Sequence, residues 1–80
     1  MFINKTKDDR NNLCGLRIAA LRKERSMSQR ELADALQLLG MEVDKNAIQR
    51  IEAGKRFVTD IELLFLARFF STSVDELLRD

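Results

Sequence analysis

Residues 27–56, MSQRELADALQLLGMEVDKNAIQRIEAGKR, leave few ways to fold. Leu32, Ala33, Leu36 and Leu39 recur at helical spacing and make one apolar face. Ser28 stands where an N-cap belongs, and Glu31, three residues on, completes a capping box. Gly40 can take the left-handed conformation that stops such a helix. Asp44 offers a second N-cap, and Ile48 and Ile51 give the short helix after it an inward face. Lys45, Asn46, Gln49 and Arg50 occupy its other faces, beside a basic loop, Gly54-Lys55-Arg56. Side chains of this kind on a short helix suit base edges and phosphates.

The flanks are helical as well. Residues 1–11 are polar and aperiodic apart from Phe2 and Ile3, and read as a mobile arm whose Phe2-Ile3 pair can dock on a neighbour. Asn11 or Asn12 caps a first helix that runs to Arg25. Its apolar positions are Leu13, Leu16, Ile18, Ala20 and Leu21, with Arg17, Arg22, Lys23, Glu24 and Arg25 on the polar side. Gly15 weakens the first turn by roughly 1 kcal/mol relative to alanine, and Cys14 reads as a small, partly buried hydrophobe. Thr59 and Glu62 form a second capping box at the head of a helix over residues 60–70. Apolar residues cover nearly its whole circumference. Phe65 and Phe69 therefore form an aromatic stripe facing away from Leu63, Leu66 and Phe70, a pattern that marks a contact surface. Ser73 caps a last short helix with Val74, Leu77 and Leu78 apolar and Glu76 in the box position. No segment has strand periodicity. The expectation is an all-α fold of five helices, with an arm at 1–11 and one domain at 12–80.

Composition sets the outer limits. Eighty residues allow one small domain, whose core is marginal without a partner chain. A hydrophobic share of 45% with 34% charged residues fits a globular chain better than a disordered one. No apolar run is long enough for a membrane span, and MFINKTKDDRNN lacks the apolar stretch of a secretory signal, so the cytoplasm is expected. One cysteine and no histidine leave no internal disulfide and no usual zinc spacing. Nor is there a nucleophile beside a base, or a glycine-rich phosphate loop; no enzyme, metal or cofactor is expected. The net charge of +1 hides an asymmetry. Residues 10–56 carry ten Lys/Arg against six Asp/Glu, a balance of +4, and residues 57–80 carry two against five, a balance of −3. That division is compatible with one face meeting phosphate, though on charge alone plain solvation of helix surfaces accounts for it better.

From Leu13 to Leu78 the chain resembles the helix-turn-helix domain of lambda-repressor-like, Xre/Cro regulators. The matching pieces are Ile18-x-x-Leu21-Arg22, Met27-Ser28-Gln29-x-x-Leu32-Ala33 and Ile48-x-x-Ile51-Glu52-x-Gly54-Lys55, followed by Leu63-Leu64-x-Leu66-Ala67-x-x-Phe70 and Ser73-Val74-Asp75-Glu76-Leu77-Leu78. The resemblance implies a five-helix bundle whose third helix lies in the major groove. Lys45, Asn46 and Ala47 then match the first reading positions, and Arg50 faces the groove one turn on, with Gln49 beside it. Ser28 and Gln29 match a phosphate contact at the head of the second helix, and Lys55 and Arg56 match the loop that meets the backbone. Arg22 and Glu52 match a structural salt bridge, which assigns Arg22 to the scaffold. The segment QLLGMEVD replaces the family's usual tight turn with a longer one, where Met41 and Val43 are expected to close the core.

The function this implies is a transcriptional regulator that binds double-stranded DNA as a homodimer on a palindromic operator. Phe65 and Phe69, with Leu77 and Leu78, are the candidate dimer interface. A different reading uses the same stripe: an antitoxin or adaptor that works mainly through a protein partner such as a toxin.

Overall fold

Ser28, Asp44, Thr59 and Ser73 each start a helix, as their side chains dictate. A computed structural model describes residues 5–79 of the chain; Phe2 and Ile3 lie outside them. The described residues form α1 (Gly15–Glu24), α2 (Gln29–Leu38), α3 (Lys45–Glu52), α4 (Asp60–Phe69) and α5 (Val74–Leu78), with no strand among them. Ser28 Oγ accepts from Glu31 N at 3.0 Å while Ser28 N donates to Glu31 Oε1 at 2.8 Å, closing the capping box. Thr59 and Glu62 repeat it at α4. Asp44 Oδ1 accepts from Ala47 N, and Ser73 Oγ from Glu76 N. Each cap is worth about 1 kcal/mol over alanine. Gly40 ends α2 with φ at 101°, and Met41 N donates back to Leu36 O at 3.0 Å.

The start of α1 departs from expectation. Its flanking residue is Cys14, which makes no side-chain cap. Asn12 serves the first turn from further upstream, its Oδ1 accepting from Gly15 N at 2.8 Å. Position 15 has no space for a Cβ, because the Ile51 carbonyl and the Asn12 and Arg10 side chains already fill it. The glycine that weakens the turn is thus what lets α1 approach the end of α3. The inward face of α1 is Cys14, Ile18 and Leu21, at i, i+4 and i+7. Leu13, Leu16 and Ala20, expected on that face, are exposed.

Ile18, Leu32, Leu36, Ile48, Ile51, Leu66 and Leu77 are fully buried and come from all five helices. Each contributes about 1.5–3 kcal/mol on leaving water. Met41 and Val43, between α2 and α3, are buried with them, and Gln37 Nε2 donates to Val43 O at 2.6 Å. The longer connection is therefore part of the core.

The outward aromatic stripe on α4 is not formed. α2 and α5 both pack against α4, so a wide arc of it is covered and both rings are half-buried. Phe65 lies beside Gly40, with ring carbon 3.8 Å from the place a Cβ would occupy. Phe69 meets Phe70 edge-on at 5.0 Å between centroids, under the Arg25 guanidinium at 5.2 Å. Arg25 Nη1 also donates to Phe69 O at 3.0 Å. Besides Asp60 at its head, α4 leaves Ile61 (65% exposed), Leu64 (49%) and Arg68 in water, the three at i, i+3 and i+7. In α5, Leu77 is completely buried and Leu78 is exposed.

The segment read as a mobile arm is tied down where it is described. Thr6 N donates to Arg10 O at 2.8 Å and Asp9 N to Thr6 O at 2.9 Å, making a turn. Asn11 N then donates to Gly54 O at 2.8 Å, which docks the segment on the end of α3.

Candidate nucleic-acid interface

The eight residues of α3, KNAIQRIE, place Ile48 and Ile51 inward with no exposure at all. Helical geometry then sends their neighbours outward. Lys45, Asn46, Gln49 and Arg50 are exposed, and Ala47, closer to the buried edge, is half-buried. Gln49, Arg50, Ala53 and Lys55 line one shallow depression. No ion pair among the described residues holds Lys45, Arg50 or Lys55. The surface thus combines two amide side chains and three free cations on one short helix and the loop after it. Amides and guanidinium groups can pair with base edges in two-point fashion, and the lysines act as point charges on phosphate.

Behind this surface a polar joint fixes α3. Glu52 accepts from Arg22 Nε at 2.7 Å and Nη2 at 2.9 Å, a two-point pair joining α1 to the end of α3. Arg22 Nη1 donates to Met27 O at 2.8 Å. Hydrogen bonding to Glu52 raises the pKa of Arg22 above its ordinary value. Gln29 Nε2 donates to Glu52 Oε1 at 3.0 Å, which adds the start of α2 to the same joint. The longer segment between α2 and α3 therefore does not separate Gln29 from α3. Its amide is committed to the scaffold, and Ser28 Oγ is committed to Glu31 N. A phosphate at the head of α2 would meet main-chain N–H groups there.

Arg56 is placed differently from the expected phosphate contact. Its Nη1 and Nη2 donate to Glu62 Oε1 and Oε2 at 3.0 and 2.9 Å, so it braces the α3–α4 loop against the head of α4. The two-point pair matches the Arg56 charge with a carboxylate, which leaves Lys55 as the loop's free cation. The Arg56 guanidinium holds the Glu62 carboxyl below the usual carboxylate range.

Three further residues support the site without a motif of their own. Arg10 Nη2 donates to Glu52 O at 2.7 Å, Asn11 Nδ2 to Lys55 O at 3.0 Å, and Asn12 Nδ2 to Ile51 O at 3.0 Å. Two consecutive asparagines before a helix are the signal that pointed there, and they were legible only as caps. No helix is long and apolar enough to cross a membrane among the described residues.

Comparison with family models matches residues 18–77, three quarters of the chain, to a family described as helix-turn-helix. Among curated proteins and among solved structures, nothing matches.

Proposed function

The chain belongs to the lambda-repressor-like, Xre helix-turn-helix family of DNA-binding transcription regulators, and we propose that it reads a specific sequence in double-stranded DNA as a homodimer on a palindromic operator. α3 enters the major groove, with Lys45, Asn46, Gln49 and Arg50 at base edges and Lys55 on the backbone. The observation that carries this reading is the outward, unpaired placement of those side chains opposite Ile48 and Ile51. Ala47 sits close enough to the exposed edge to meet a thymine methyl.

One domain of this size touches few bases, so a two-fold pair supplies affinity and a symmetric target. Within α4 and α5, the large apolar residues left in water for that contact are Ile61, Leu64 and Leu78. Binding-site selection from random duplex DNA at two salt concentrations tests the reading. The expected outcome is an enriched inverted repeat with half-site centres about 34 Å apart. Failure to enrich any sequence at either salt concentration would remove sequence-specific binding.

The exposure of Ile61 and Leu64 also supports an antitoxin or adaptor, in which a protein partner covers α4 and DNA binding is secondary. Sedimentation separates the two. The homodimer reading requires self-association by the purified chain that tightens on a palindromic duplex.

A further inference from the structure

Helices end in carbonyls that have no partner within the helix. At the end of α3 and in the loop beyond, one tripeptide from far upstream, Arg10-Asn11-Asn12, meets those carbonyls. Arg10 Nη2 donates to Glu52 O at 2.7 Å. Asn12 Nδ2 donates to Ile51 O at 3.0 Å and to Arg56 O at 2.8 Å. Asn11 donates twice, from its backbone N to Gly54 O at 2.8 Å and from Nδ2 to Lys55 O at 3.0 Å. Carbonyls of Ile51, Glu52, Gly54, Lys55 and Arg56 are thus all held from one side. Gly54, at φ 78°, has no room for a Cβ because the Arg10 side chain lies within 2.7 Å of that position. From the other side, the Arg56–Glu62 pair clamps the same loop. The backbone of Lys55 is fixed while its side chain stays in water. All three residues lie outside the stretch matched to the family, 18–77.

We propose that Arg10-Asn11-Asn12 is a positioning strap, which presets the end of α3 and the Lys55 loop in the pose that meets the DNA backbone. The strap sets affinity without touching DNA, because a loop ordered in advance has no ordering cost left at binding. This rests on the reading of α3 and Lys55 as the DNA-facing surface. Asn12 and Arg10 also serve the fold, through Gly15 N and the packing at Gly54. Asn11 is the discriminating residue, since its side chain donates only to the Lys55 carbonyl.

The test is a double-mutant cycle in the full chain with Asn11→Ala, Lys55→Ala and both together. Binding to the selected duplex is followed by fluorescence anisotropy at two salt concentrations, and amide hydrogen exchange of residues 53–57 is measured in the free protein. Asn11→Ala should keep the helical circular dichroism and speed exchange at Gly54 and Lys55. It should weaken binding about three- to tenfold, the effect of one lost hydrogen bond, and lower the salt slope by up to about one. The double mutant should bind like Lys55→Ala alone, because the loosened loop acts through Lys55. Additive losses in the cycle, or unchanged exchange in Asn11→Ala, overturn the strap. A wild-type chain with no affinity for any duplex overturns the DNA reading instead, and is told apart by an exchange difference that persists.

Discussion

Arg50 and Lys55 are both exposed cations five residues apart, yet the proposed function assigns them different work. A guanidinium on the outward face of α3 can pair with guanine O6 and N7, whereas an ammonium on the loop neutralises one phosphate. Arg50→Ala is expected to cost about 1–3 kcal/mol and relax preference at one base pair. Lys55→Ala is expected to weaken all duplexes alike and flatten the salt slope by about one. Anisotropy titrations on the selected site and on single-base variants separate the two; equal loss on every sequence for Arg50→Ala removes the division. Cys14 behaves otherwise. Burial pushes its thiol up to about 11, and 1% exposure keeps reagents away. At pH 8 a chromogenic disulfide reagent should react with Cys14 only as fast as the native chain opens, and at once in denaturant. The exposed face of α3 was legible because helical period and the Asp44 cap both converge on it. Arg56 was not, because its partner Glu62 sits in a different helix, and no spacing rule ties a loop arginine to a carboxylate that already closes a capping box.

At the scale of the element, α4 shows what periodicity leaves open. Eight apolar residues in eleven establish a helix but not which arc of it faces water. The choice falls to tertiary partners: Gly40 makes a recess for Phe65, and Arg25 lids Phe69. Phe65→Ala and Phe69→Ala should each cost about 2 kcal/mol of monomer stability by urea denaturation, scaled down from full burial. Ile61→Ser with Leu64→Ser should leave the monomer's stability nearly unchanged and lower self-association, read by sedimentation velocity. Dimerisation equal to wild type in that variant would clear α4 of the role. The head of α4 also carries a pH dependence. Glu62 is held low chiefly by its hydrogen bonds with Arg56, against a smaller opposing effect of burial. A depressed folded value means that the pair stabilises the fold fully above the ordinary carboxylate value of 4.5 and less as pH falls through the lowered one. Glu62→Gln should therefore lose stability at pH 7 and show a smaller further drop between pH 5 and 3, by urea midpoints.

For the molecule as a whole, the division of charge read along the chain has a spatial counterpart. The unpaired cations Lys45, Arg50 and Lys55 belong to α3 and its loop, while Asp60, Glu62, Asp75 and Glu76 head α4 and α5. Carboxylates at helix N-termini are stabilising there for reasons unrelated to DNA. The acidic half thus reflects capping as much as function. Five helices, the inward face of α3 and three residues of that of α2 could be read in advance; Leu39, expected on the α2 face, falls just past the helix end and is half exposed. The attachment of residues 10–12 could not be read, since hydrogen bonds across about forty positions leave no local periodicity.

That attachment bears on what counts as a portable unit. Similarity begins at Ile18, yet three positions earlier the chain abuts α3 so tightly that only a hydrogen fits at position 15. A fragment trimmed to the similar region would strip the upstream donors from Glu52 O at the end of α3 and from the loop carbonyls of Lys55 and Arg56. Grafting this reading surface onto another scaffold has to bring residues 10–17 along as its keel.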